Sequence, residues 1–217
     1  MKKLFALVAL LACMTTANAQ WSVGGSFAYT SSKLDAGGAD QSGSSFKILP
    51  DIGYQYTEDL SFGVQIGYSH GFASFGSLTA TDIKSMVASL GGFYSDINDE
   101  DLKLNSITIA PYVRYTVMKF DKVKLFIEGY IGYDEISSEG TPNTNGGTSN
   151  NETKITAFEI GARPGISLAL SDNLDLTCKL GALGYISGKE KESDMKITRF
   201  GLNAETYNLM WGLNYKF

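Results

Sequence analysis

The chain has 217 residues, 43% of them hydrophobic, and a formal charge of −5, so it is long enough for a sizeable domain and too acidic to bind nucleic acid by charge. Past the first twenty residues no run of about 18 apolar residues occurs, which excludes a membrane-spanning helix. Only 4 prolines beside 24 glycines, 12 tyrosines and 12 phenylalanines describe an all-β chain, with aromatics on the pleat and glycines in tight places.

The first segment in chain order is a leader. Lys2 and Lys3 open it, an apolar core runs from Leu4 to Ala12, and Ala17-Asn18-Ala19 is a small-residue cleavage site before Gln20. Residues 1–19 are therefore expected to be a secretory signal peptide and residues 20–217 the mature domain. A lipoprotein site at Cys13 is the competing reading, and Ala-Asn-Ala is better placed for cleavage. Loss of the leader takes Lys2 and Lys3 with it and moves the formal charge to −7. Cys178 is then the one cysteine left, so no internal disulfide forms, and it is expected to act as a small apolar strand residue.

Eight strands follow, each recognised by a period of two. In the first, Trp21, Val23, Phe27 and Tyr29 alternate with Ser22, Gly24, Ser26 and Ala28. The second sets Ile48, Pro50, Ile52 and Tyr54 against Lys47, Asp51 and Gly53, and the third sets Phe62, Val64, Ile66 and Tyr68 against Ser61, Gln65 and Ser69. The fourth has Ile107, Ile109, Val113 and Tyr115 opposite Thr108, Tyr112 and Arg114, and the fifth has Ile127, Ile131 and Tyr133 opposite Phe126, Glu128 and Tyr130. The sixth has Phe158, Ile160, Pro164 and Ile166 opposite Glu159, Arg163 and Ser167. In the seventh, Leu176, Cys178, Leu180 and Ala182 oppose Asp175, Lys179, Gly181 and Leu183. The eighth is terminal, with Tyr207, Leu209, Trp211, Leu213, Tyr215 and Phe217 on one wholly apolar face.

Each apolar band is long enough for the roughly 9 to 11 residues that a tilted strand needs to cross a bilayer, and in lipid only closure satisfies every strand edge. The expected fold is thus an eight-stranded antiparallel up-and-down transmembrane β-barrel. A soluble barrel would place its greasy face inside. Connections alternate as well: a few residues after strands two, four and six, but long stretches at 31–45, 71–103, 135–153 and 187–203. That asymmetry is expected of short periplasmic turns and long external loops.

A Pro-x-(Ile or Val)-x-(Tyr or Leu) pattern recurs at Pro50, Pro111 and Pro164 shortly before each short turn. Proline lacks a ladder donor, so each copy predicts a bulge or local break in pairing. With the Gly161-Ala162-Arg163-Pro164-Gly165 run, the leader and the terminal Phe217, the mature chain resembles the small outer-membrane β-barrel family grouped with OmpA and OmpX, often called porin-family proteins. The resemblance implies an eight-stranded barrel in a diderm bacterium, exported through the Sec pathway. It also makes the terminal strand the signal that the outer-membrane assembly machinery recognises. Implied partners are outer-membrane lipids, lipopolysaccharide and periplasmic chaperones; a monomer without cofactor or metal is expected.

Inward charges are the candidate functional set: Lys47, Asp51, Arg114, Glu128, Glu159, Arg163 and Lys179, with Asp175 a further inward charge. Charges in a narrow lumen must be paired or watered, which predicts either a salt-bridge plug or a gate for small solutes. The expected role is accordingly non-enzymatic, envelope-structural or porin-like for small solutes. One alternative is surface adhesion through the long external loops, of which the second carries the acidic cluster Asp96, Asn98, Asp99, Glu100 and Asp101 and a helical spacing over 81–90. The other is a lipid A-modifying enzyme built on the adjacent Ser69 and His70, which lack an evident orienting acid.

Overall fold

A computed structural model describes residues 21–35, 40–71, 103–140, 151–190, 196–203 and 209–217. Ten antiparallel strands form one sheet: β1 (Trp21–Asp35), β2 (Asp40–Gln55), β3 (Leu60–His70), β4 (Lys103–Phe120), β5 (Val123–Gly140), β6 (Asn151–Ala169), β7 (Leu174–Lys179), β8 (Ala182–Glu190), β9 (Lys196–Asn203) and β10 (Met210–Lys216). β7 and β8 both pair with β6 and occupy one position in the wall, and β9 and β10 share the next, so the ten segments are eight staves. β10 pairs with β1 through Ser22↔Lys216 to Phe27↔Trp211 and closes the barrel.

The registers set its dimensions. Walking from Phe27 through Ile48, Tyr68, Ile107 and Glu135 reaches Thr156, whereas the opposite path through Trp211 and Cys178 reaches Ile166. The two arrivals differ by ten residues of stagger. With eight staves this gives a strand tilt of roughly 40° and a backbone radius of about 8 Å, an interior that side chains fill.

The alternation behaves as expected over most of the wall. Phe27, Ile48, Ile66, Ile109, Ile127, Ile160 and Leu213 are exposed on the outside, while Ser26, Lys47, Gln65, Thr108, Glu128, Glu159 and Asn214 are buried inside. Aromatics gather at both ends of the outer face. Trp21 meets Tyr54 edge-on at 5.1 Å, Tyr54 meets Phe62 at 5.5 Å, and Tyr215 meets Phe217 at 5.2 Å near the short turns; Phe46 and Tyr68 lie 5.9 Å apart toward the loop end. Two such girdles flanking an apolar belt are what a bilayer with two interfaces selects.

Each proline sits at a gap in the ladder to the following strand. The β2–β3 pairs jump from Ile48↔Tyr68 to Asp51↔Gln65 across Pro50, and the β4–β5 pairs from Ile109↔Tyr133 to Tyr112↔Tyr130 across Pro111. Register survives both gaps. At Pro164 it does not: Gly165 pairs with Lys179 but Ala162 pairs with Leu183, so four steps on one side face three on the other. The extra residue is accommodated at Leu180-Gly181, where Gly181 has φ 49 and Leu180 N donates to Pro164 O at 3.0 Å. This bulge corrects the expectation for the seventh strand. Ala182 is buried in the lumen and Leu183 is exposed on the outer wall, the reverse of an unbroken period of two.

Three of the connections are also shorter than the apolar pattern predicts. β1 and β2 pair as far as Asp35↔Asp40, β5 and β6 as far as Gly140↔Asn151, and β8 and β9 as far as Lys189↔Lys196. Ladder hydrogen bonding continues past the apolar belt because pairing needs no greasy face once the strands stand in water. Residues 72–102, with the acidic cluster and the helical spacing, lie outside the described residues, as do the leader and Tyr207.

One seam interrupts the wall. Among the described residues β9 pairs only with β8, and β1 beyond Phe27 has no partner on that side. Tyr29, Phe200 and Leu202 lie on the two strands that border it and are, among the described residues, the most exposed large apolar side chains, at 66%, 73% and 69%.

Candidate functional site

The middle of the lumen is organised around one carboxylate. Glu128 points inward from β5 and is completely buried, as are Gln65 on β3 and Lys179 on β7, with Arg163 on β6 nearly so. Arg163 Nε donates to Glu128 Oε1 at 2.8 Å. Arg114 reaches the other oxygen with Nε at 3.1 Å and Nη2 at 2.7 Å, and Lys179 Nζ stands 3.2 Å from it. Gln65 completes the ring, donating through Nε2 to Glu128 Oε1 at 3.1 Å and accepting from Arg163 Nη2 at 2.6 Å. Three cations thus converge on one anion from three strands.

Aromatic rings hold the cations in place. The Arg163 guanidinium stacks 4.3 Å above Tyr130, and Arg114 lies 4.6 Å above Phe126 and 5.2 Å from Tyr112. These rings fit in so narrow a lumen because glycines face them. A Cβ on Gly161 would stand 2.8 Å from the Tyr130 hydroxyl, one on Gly63 would stand 2.7 Å from that of Tyr112, and one on Gly165 would overlap the Phe126 ring. Gly161 and Gly165 belong to the Gly-Ala-Arg-Pro-Gly run, so that motif makes room on both sides of Arg163.

The other inward charges lie around this centre. Asp51 accepts from the Tyr112 hydroxyl at 3.3 Å and lies within electrostatic reach of Lys179 and Arg114. Toward the loop end, Tyr130 donates to Glu159 at 2.6 Å, and buried Lys47 feels both Glu159 and Arg163. Asp134, with Thr108 donating to it, adds a further buried carboxyl at that end. Asp175 sits apart near the short turns, bridged to Lys216 at 2.5 Å.

Four of the seven inward residues singled out in the sequence therefore form one contact cluster: Arg114, Glu128, Arg163 and Lys179. Asp51, Lys47 and Glu159 stand beside it. Gln65, Tyr112, Tyr130 and Asp134 were not singled out. Inward tyrosines opposite inward glycines were the available signal for two of them; nothing local marks Gln65.

The Ser69 and His70 pair comes apart in three dimensions. Successive strand residues face opposite ways, so Ser69 is buried inside with its Oγ 3.1 Å from Ser106 Oγ. His70 Nδ1 lies 2.8 Å from Asn105 Oδ1, and its ring packs against Phe46 on the other face. Among the described residues no group of three or more His, Cys, Asp or Glu side chains is arranged to hold a metal ion.

In the terminal stave Trp211, Leu213 and Tyr215 face outward, and Phe217 N donates to Trp21 O at 3.1 Å, tying the last residue to the first strand. Leu209 precedes β10 and is half-buried.

Comparison with known proteins places this geometry. Residues 4–217 match the family model described as the outer membrane protein beta-barrel domain. Among solved structures, the chain is similar to Neisserial surface protein A, at 18% identity over 91% of this chain and 96% of that one, with a TM-score of 0.46. A major outer membrane protein of Thermus thermophilus is 16% identical over 92% of this chain and 100% of that one, also with a TM-score of 0.46. Ail, the attachment invasion locus protein of Yersinia pestis, is 12% identical over 91% and 99%, with a TM-score of 0.37. No curated protein sequence matches the chain.

Proposed function

The chain belongs to the outer membrane protein β-barrel family, and from that premise we propose that it is a non-enzymatic barrel whose lumen is closed by the Glu128 cluster. Its role is envelope-structural, and any passage is limited to very small solutes. The observation that carries this reading is one fully buried carboxylate held by Arg114, Arg163 and Lys179 across a lumen of about 8 Å backbone radius. In this reading the side chains that converge from β4, β5, β6 and β7 close the lumen to water at that level. Breaking a buried pair leaves a charge uncompensated and is costly, so the cluster resists opening.

The absence of catalysis is part of the same proposal. Ser69 and His70 point to opposite faces, and His70 is engaged with Asn105, so neither can activate the other. The family's place is the bacterial outer membrane; Sec-dependent export of this chain and recognition of its last strand by the assembly machinery complete the proposal.

Single-channel recording in planar bilayers tests the plug. The wild-type barrel should be silent or pass rare small openings, and Arg163→Ala should raise conductance. Steady wild-type openings would replace the plug with a pore. A variant unchanged in both conductance and stability would remove the cluster from the account.

A further inference from the structure

Just loopward of the Glu128 cluster a second layer closes the lumen, and it is apolar. Six of the eight staves send Ala28, Leu49, Ala110, Tyr130, Ala182 and Met210 inward there, and all six are buried, Leu49 to 1% and Met210 to 2% exposure. Ala28, Leu49 and Met210 pack as one cluster on the β2–β1–β10 side, and Tyr130 and Ala182 pack with Tyr112 on the other. A stagger of ten residues over eight staves moves each step around the wall loopward by about one and a quarter residues, and on that slope the six positions fall in one band. The other two staves contribute Gln65, whose amide is committed to Glu128 and Arg163, and Gly161, which lies against the Tyr130 ring.

The band separates two charged layers. On its short-turn side stand Arg114, Glu128, Arg163, Lys179 and Asp51, with Met210 the ladder partner of Lys179. On its loop side stand Lys47, Glu159 and Asp134, where Tyr130 donates to Glu159 at 2.6 Å and Thr108 donates to Asp134. Leu49 lies between Lys47 and Asp51 on the inward face of β2. An ion moving from one layer to the other must give up its water where no polar group replaces it, and an uncompensated charge in such a place is costly. Narrow apolar constrictions close channels in this way, by dewetting. The lumen face of a membrane barrel is otherwise polar, so alternation along the strands does not call for a ring of this kind.

We propose that Leu49 and Met210 form a hydrophobic gate that bars ions of either sign from the lumen. The proposal rests on the plug reading for a closed barrel and adds a second barrier in series with the salt bridges. Breaking the Glu128 cluster loosens the lumen on the short-turn side, and the apolar band still stands above it. Specificity follows from the chemistry of the band. A ring of charge turns away one sign and attracts the other, whereas an apolar ring offers a partner to neither.

Replacements that keep volume and change polarity separate hydrophobicity from bulk. Leu49→Asn with Met210→Gln gives the band hydrogen-bonding groups at nearly constant size, and Leu49→Met with Met210→Leu keeps it apolar. Single-channel recording of the full-length mature barrel in potassium chloride would read both pairs, each with and without Arg163→Ala. In the Arg163→Ala background the polar pair should raise conductance at least about tenfold, for potassium and chloride alike, and the apolar pair should leave it unchanged. Met210→Gln alone should give part of the rise and is the variant to read if the polar pair does not fold. A polar pair that conducts no better than the apolar pair would overturn the gate, because bulk would then be the barrier. Arg163→Ala without effect beside a conducting polar pair would remove the salt-bridge plug and leave the gate standing. Steady wild-type openings would overturn both.

Discussion

Glu128 and Arg163 are direct partners in the β5–β6 ladder, and Arg163 Nε closes on Glu128 Oε1 at 2.8 Å. Because Arg114 and Lys179 share the same carboxylate, the four side chains stand or fall together. Glu128→Gln would leave three inward cations facing a neutral amide. The expected loss is about 3–5 kcal/mol, the cost of breaking a buried pair. Urea unfolding of the barrel in lipid vesicles measures it, and a loss under about 1 kcal/mol, as for a surface pair, would show that Glu128 does not hold the cluster.

Gly165 faces the Phe126 ring so closely that a methyl group has no place. Gly165→Ala should cost about 1–3 kcal/mol through overpacking. Adding Phe126→Leu, which shortens the obstructing side chain, should recover part of that loss. Strictly additive effects in this double-mutant cycle would mean that the two positions do not touch.

Gly181 carries the bulge opposite Pro164 at φ 49. An L side chain in the left-handed region costs roughly 1–2 kcal/mol, so Gly181→Ala should destabilise by that amount and Gly181→Asn by less. Equal losses for the two variants would argue that space, not backbone conformation, requires the glycine.

The seam between β1 and β9 predicts uneven hydrogen exchange. Amides of β10 lie between β1 and β7, while among the described residues β9 is paired on one side only. Backbone amides of residues 196–203 should therefore exchange faster than those of 210–216 in lipid nanodiscs. Equal protection would show that a strand or a lipid headgroup covers the β9 edge.

Cys178 stands between Ile166 and Trp211 on the outer wall and is half-buried. In an intact membrane a water-soluble maleimide should leave it unlabelled, whereas a lipid-soluble maleimide or prior denaturation should label it fully. Rapid labelling by the water-soluble reagent would place this part of the wall in contact with water.

Much of this was legible along the chain. Trp21 to Tyr29 and Met210 to Lys216 announce two staves by alternation alone, and Pro50, Pro111 and Pro164 mark the places where pairing breaks. The departures from the pattern have two causes. Alternation reports each residue's side only until a bulge intervenes, so beyond Gly181 it places Ala182 and Leu183 on the wrong faces. Strand ends at Asp35, Gly140 and Glu190 carry no such signal, because strands in water need no apolar period.

The sequence by itself determined the class of the molecule and the sidedness of most of its strands, because a period of two between lipid and lumen is a local property of the chain. Which inward residues meet was decided only by the tertiary structure. Gln65 and Glu128, 63 positions apart, touch because a stagger of ten residues around eight staves brings β3 and β5 to one level. Asp175, inward and charged like Glu128, falls nearer the short turns and takes Lys216 instead. Register and closure set those levels, and both are properties of the whole ring of hydrogen bonds, which no single strand encodes.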